Sequence, residues 1–198
     1  PAGAVLQHQA GEVARALGLR RRVALRVTER ALPPQSFGVW RPTVVLPASA
    51  VEGLTFEELR LVLAHELGHH ARWDPAAKWL QLAAATVWWF HPLVWLLGRQ
   101  LDRVREQCCD ELVLARGASA ADYCRMLVHL AEHALARPSR LTPAHAMHPL
   151  RQRMQRLLAG GLRPTAGLSR GGMAVVAFVS ALALARVSAE EPAKEQST

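Results

Sequence analysis

The chain has 198 residues, half of them apolar, and a formal charge of +8 carried almost wholly by arginine, since Lys78 and Lys194 are its only lysines. That is enough for one domain with a real core and an appended segment. The basic balance raises a nucleic-acid reading, but no basic run is interleaved with aromatics and no nucleic-acid motif is present, so binding to nucleic acid is not expected.

The first residue is Pro rather than Met, so a piece of a longer protein is expected. Cys108, Cys109 and Cys124 are odd in number and two are adjacent, which argues against a disulfide framework and for small buried side chains in a reducing compartment.

In chain order, residues 4–18 form an amphipathic pattern that Gly18 ends. Arg22 to Glu29 alternates apolar and polar positions, as a half-buried strand does. Ser36 to Pro47 (SFGVWRPTVVLP) predicts one or two short strands, and its prolines predict an edge position. Thr55 and Glu58 make a capping box with Leu54 placed as its staple, and Leu59, Val62, Leu63 and Leu67 then recur at helical spacing. Two further helices are expected over 76–90 and 93–116, another from Ser119–Asp122 to about 136, a loop over 137–146, and a short basic helix over 150–159. Residues 171–187 are apolar, at the lower limit for a membrane span. Twelve arginines against six acids in 99–170 stand before it, and Glu190, Glu191 and Glu195 against Lys194 follow it. The positive-inside rule then places the main domain in the cytoplasm. Val187-Ser188-Ala189 also has the form of a signal-peptidase site.

The helix opened by Thr55 carries Ala64-His65-Glu66-Leu67-Gly68-His69-His70, which contains H-E-x-x-H. Residues four apart share a helix face, so His65 and His69 can present nitrogens to one ion, with Glu66 beside them as a base. Catalytic zinc needs a third protein ligand. The candidates are His70, His91, Glu106, Asp110, the cysteines and a later histidine. Glu106 is favoured: in EQCCD it shares a helix face with Asp110, which could accept the outer N–H of a ligand histidine. A straight span over 78–98 would carry Glu106 away from the histidines. A hairpin turning at Phe90-His91-Pro92 returns it, and the tip WWFHPLVW can dip into a membrane interface.

AHELGHH, FHPLVWLLGRQLDRVREQCCDELVL, HPLRQRMQRLL and the stretch SFGVWRPTVVLP together resemble the BlaR/MecR-type membrane metallopeptidases, over roughly residues 12–187. The resemblance implies a mostly helical α+β, gluzincin-like domain with a small edge β-sheet and a C-terminal transmembrane helix. It implies Zn²⁺ held by His65, His69 and Glu106, with Glu66 as catalytic base and Asp110 behind a ligand. The expected division is a cytoplasmic peptidase domain over 1–165, a membrane helix over 170–188 and an extracytoplasmic tail over 189–198, in a bacterial inner membrane. His148 and Arg153 are catalytic candidates for stabilising the developing oxyanion, because HtpX and CAAX-type proteases carry a similar His-Pro…Arg stretch; Tyr123 is a third. Expected partners are a protein or peptide substrate such as a transcriptional repressor, membrane lipid and a second copy of the chain. A quality-control or processing peptidase and a non-catalytic transducer are the alternative readings.

Overall fold

A computed structural model describes residues 3–30, 32–136 and 147–160, with side chains left out over 134–136 and 147–149. Among the described residues, seven helices and three strands run in the order α1 (Ala4–Ala16), β1 (Ala24–Thr28), β2 (Gln35–Phe37), β3 (Thr43–Pro47), α2 (Ala48–Gly53), α3 (Phe56–Ala71), α4 (Asp74–Val87), α5 (Pro92–Ala115), α6 (Ala120–Ala136) and α7 (Met147–Leu158). This is a mostly helical α+β arrangement. The expected span over 170–188, the tail over 189–198 and the loop over 137–146 lie outside the described residues. Among those described, no helix is long and apolar enough to cross a membrane.

The sheet corrects one expectation. Its order is β1-β3-β2, with β1 parallel and β2 antiparallel to β3, so the proline-flanked strand is central. Pro42 precedes β3 and Pro47 closes it, so neither removes a donor from the middle of the ladder. The edges are β1 and β2, the latter three residues long and drawn from the stretch expected at an edge. Ser36 ties β2 to α3 by donating from its hydroxyl to the Glu66 carbonyl at 3.1 Å.

Helix α3 begins where the sequence places it. The Thr55 hydroxyl accepts from the Glu58 amide, and the Glu58 carboxylate accepts from the Thr55 amide at 2.9 Å. Leu59, Val62, Leu63 and Leu67 are buried, and so are His65, Glu66 and His70, which makes α3 the central helix rather than a surface one. Val44 and Leu46 of β3, Val113 of α5, and Tyr123 and Met126 of α6 complete the core around it.

Two joints position the site. The chain leaves α3 through Trp73, which adopts the left-handed conformation (φ 61°), with the Arg21 guanidinium 4.2 Å above its indole ring. This reversal makes Asp74 the first residue of α4 and turns it back towards α3. The second joint is the α4–α5 hairpin. His91 caps α5 by accepting from the Leu93 amide at 3.3 Å, and Pro92 occupies the first turn, where no donor is needed. Lys78 and Asp102 pair across the hairpin at 2.7 Å, and Arg105 reaches Gln81 at 2.5 Å. The helix out and helix back therefore return Glu106 to α3. Gly68 lets them approach: a Cβ there would stand 3.2 Å from Leu112 Cδ2 and 3.5 Å from Cys109 Sγ.

Candidate metal centre

His65 and His69 stand one turn apart on α3 with ring centroids 5.1 Å apart and planes nearly perpendicular, at 89°. Glu106 of α5 faces both. Its Oε2 lies 3.4 Å from His65 Nε2 and its Oε1 lies 3.6 Å from His69 Nε2. One ligand atom from each of the three residues falls within 4.8 Å of the others. Ligand atoms at about 2.1 Å from a tetrahedral ion are about 3.4 Å apart, so the three fit one zinc ion.

The outer nitrogens decide which ring atoms are free. His69 Nδ1 is 2.9 Å from Asp74 Oδ2, with Cys109 Sγ at 3.3 Å. His65 Nδ1 is 2.9 Å from the Tyr123 hydroxyl and 3.3 Å from Asp110 Oδ1. Tyr123 in turn donates to Asp110 Oδ1 at 2.8 Å. Carboxylates behind both rings hold the proton on Nδ1 and leave each Nε2 lone pair facing Glu106.

Arg153 of α7 engages Asp110 with two donors, Nε to Oδ2 at 3.0 Å and Nη2 to Oδ1 at 2.6 Å. Its Nη1 lies 3.4 Å from Glu106 Oε2. These charges press hard on each other. Burial opposes ionisation of Asp110, yet the bonds from His65 and Arg153 hold its carboxyl down at about 2. Burial likewise opposes protonation of His65, but Asp110, Glu106 and Glu66 together lift it to about 9. Glu106 is held below its ordinary value by His65 and Arg153 against the opposing effect of burial. A cluster that draws a proton this strongly onto a buried imidazole is an anionic cage suited to a cation.

The remaining residues sort plainly. Glu66 lines the same cleft, which encloses about 660 Å³ and is bounded by β2, α4 and α6. Asp110 sits behind His65. Arg153 also lines the cleft, with its guanidinium engaged by the two carboxylates. His148 lies on α7, and its side chain is outside those described. Tyr123 is fully buried behind His65. His91 is a helix cap at the far end of the hairpin. His70 is buried with neither ring nitrogen partnered among the described residues. The three cysteines are free, Cys109 and Cys124 buried and Cys108 partly so.

Sequence reasoning missed Asp74, and it named Tyr123 as an oxyanion candidate rather than as the partner behind His65 that its hydroxyl is here. Asp74 carried a usable signal: an acid directly before Pro75 marks a helix start five residues beyond His69. Tyr123 had only its place on the apolar face of α6, with Met126 and Leu127.

Paired helix histidines facing an acidic residue that a hairpin returns to them are the donor set a metallopeptidase needs. The family model described as BlaR1 peptidase M56 matches residues 5–157, and the chain belongs to that family. It is similar to the regulatory protein BlaR1 of Bacillus licheniformis, 37% identical over 81 residues, 41% of this chain and 13% of that protein. It is also similar to the methicillin resistance mecR1 protein of Staphylococcus aureus, 30% identical over 81 residues, 41% of this chain and 14% of that one. The matched stretch thus spans about one-seventh of the length of these curated relatives.

Proposed function

We propose that this chain is a zinc-dependent endopeptidase module of a membrane signalling protein, with His65, His69 and Glu106 as metal ligands. The observation that carries the reading is the convergence of two Nε2 atoms and one carboxylate, each histidine backed through Nδ1, beside Glu66 in an open cleft. When bound, zinc supplies Lewis-acid polarisation of a peptide carbonyl and acidifies a water towards neutral pH. Glu66 would take a proton from the attacking water as its oxygen adds to the carbonyl carbon, and would deliver it to the departing amine nitrogen as the C–N bond breaks.

Strand β2 supports the choice of a peptide substrate. It is the edge strand that lines the cleft, and Ser36 fixes it to the backbone of Glu66. An extended peptide added there forms main-chain hydrogen bonds, which select shape more than side-chain identity. Arg153 adds a positive charge beside Glu106; His148 is kept as the second candidate for oxyanion stabilisation. Residues 1–165 form the peptidase domain in this reading, followed by a membrane helix at 170–188 and an external tail at 189–198. The charge asymmetry across that segment supports a cytoplasmic peptidase domain, with the protein itself or a repressor as substrate.

The test is metal content and proteolysis of the full chain in detergent, comparing wild type with Glu66→Gln and Glu106→Gln. One zinc per chain, kept in Glu66→Gln with cleavage lost, and weakened at least tenfold in Glu106→Gln, is the expected result. Full zinc in Glu106→Gln removes it as a ligand, and cleavage surviving Glu66→Gln removes the base.

A further inference from the structure

From Trp79 to Gly98 the α4–α5 hairpin carries no Asp, Glu, Lys or Arg in twenty consecutive residues, yet it does not pack into the core. Trp79, Trp89, Phe90 and Trp95 are each more than half exposed. Leu80, Val87, Leu93 and Leu96 are similarly exposed. A contiguous apolar surface of this kind on a soluble face is rare without a partner.

The distribution around the helices identifies that partner. Trp95, Leu96 and Leu97 are successive residues, each turned about 100° from the last, and all three are exposed. A docking protein covers one face of a helix. A helix end that is apolar around its girth requires an apolar medium around its girth.

The hairpin also ends too soon to cross a bilayer. From Trp79 to the end of α4 at Val87 the helix rises about 12 Å, against a hydrocarbon thickness of about 30 Å, and the chain then turns back into α5 at Pro92. Its layering fits a single leaflet. Trp95, Arg99 and Arg103 fall one turn apart on one stripe of α5, the tryptophan towards the tip and both exposed arginines towards the base. Tryptophan favours the headgroup boundary, and arginines at that depth meet anionic phosphates.

We propose that the α4–α5 hairpin is a monotopic membrane anchor, seated in one leaflet of an anionic bilayer with Trp88, Trp89, Phe90 and Trp95 at the acyl boundary. Trp79 and Leu82 of the same helix line the metal cleft, so this seating sets the cleft mouth close to the bilayer surface. The anchor stands on the exposed surface alone and is independent of the peptidase reading.

The chain's tryptophans allow a direct test. All six lie between positions 40 and 95, four of them on the hairpin and none in 171–187. The full chain is mixed with phosphatidylcholine–phosphatidylglycerol vesicles whose acyl chains are brominated near the headgroup. Quenching of tryptophan emission with a blue shift is expected, and it reports on the hairpin whatever residues 171–187 do. Trp88→Asp with Trp89→Asp should at least halve the fractional quenching of the remaining tryptophans, a signal that a membrane helix at 170–188 does not supply, while Trp40→Asp leaves the quenching of the hairpin tryptophans unchanged. Vesicle association without tryptophan quenching would overturn the proposal and assign the anchoring elsewhere. So would undiminished fractional quenching in the double variant.

Discussion

The carboxylate of Asp74 stands 2.9 Å from Nδ1 of His69, brought there by the left-handed turn at Trp73 that starts α4 against the end of α3. This contact fixes the tautomer of His69 and the direction of its Nε2 lone pair. Removing the charge while keeping the shape, in Asp74→Asn, should weaken zinc binding about 10- to 100-fold. Competition with a chromophoric chelator at pH 7 measures it; unchanged affinity would show that His69 is oriented by its packing alone.

On the other histidine the support comes from Tyr123, whose hydroxyl lies between His65 Nδ1 and Asp110 Oδ1. In Tyr123→Phe the ring still fills its place, but His65 and the buried Asp110 lose a shared partner. Loss of a buried hydrogen-bond partner costs about 1–3 kcal/mol. Thermal unfolding should fall accordingly, and zinc affinity with it. A drop in stability with zinc affinity intact would leave Tyr123 a core residue only.

Arg153 and Asp110 form a buried pair with two short hydrogen bonds, so breaking it from one side is expected to be costly. Arg153→Met leaves Asp110 charged, buried and without its strongest partner, a loss of about 3–5 kcal/mol. Arg153→Met combined with Asp110→Asn should recover part of that loss, because the orphaned charge is gone. Denaturant unfolding of both variants measures the recovery. Equal stability of the single and double variants would mean that the pair is screened by solvent.

His70 gives a pH prediction. Burial, then the nearby charges of Arg21 and His69, press its pKa down to about 4. The folded value lies below the unfolded value near 6.5, so folding disfavours its protonation. Its neutral form costs nothing above pH 6.5, and stability falls as pH drops from there through 4, by about 3 kcal/mol at most. Both ring nitrogens are buried without partners, so His70→Leu should flatten that part of the stability–pH curve and leave stability at pH 7 equal or higher. Denaturant melts at pH 4.5 and 7.5 provide the comparison, and an unchanged pH slope would exclude His70 as its source.

Much of this arrangement was legible in the sequence because it rests on local rules. The capping box at Thr55 and Glu58, the helical spacing of Leu59 to Leu67 and the hairpin turn at His91-Pro92 each depend on neighbours within a few residues. The third position facing the histidines followed from the same spacing rule applied to Glu106 and Asp110. What stayed hidden depends on contacts across the fold. Strand β3 is central because β1 crosses over to pair beside it, and nothing within Thr43–Pro47 states that. Asp74 reaches His69 only through the backbone reversal at Trp73. His70 adjoins His69 in sequence yet is buried in the core, away from Glu106.

Gly68 tests how closely the two ligand-bearing helices must meet. It precedes His69 directly, and across from it on α5 lie Leu112 and Cys109, the latter three residues beyond Glu106. Gly68→Ala gains helix propensity, up to about 1 kcal/mol. Its new Cβ, however, presses Leu112 Cδ2 at 3.2 Å, so the Leu112 side chain must give by a few tenths of an ångström, and α5 moves with it where that side chain has no room to turn. These effects oppose each other in stability, which should change by less than about 1 kcal/mol. They do not offset each other at the site, because any shift of α5 moves Glu106 relative to both Nε2 atoms. Zinc affinity is therefore expected to fall several-fold in Gly68→Ala and to recover when Leu112→Ala opens space opposite. Recovery in the double variant ties the loss to the α3–α5 spacing. Wild-type affinity in Gly68→Ala alone would show that Glu106 follows the histidines through side-chain movement, without needing the backbone fixed.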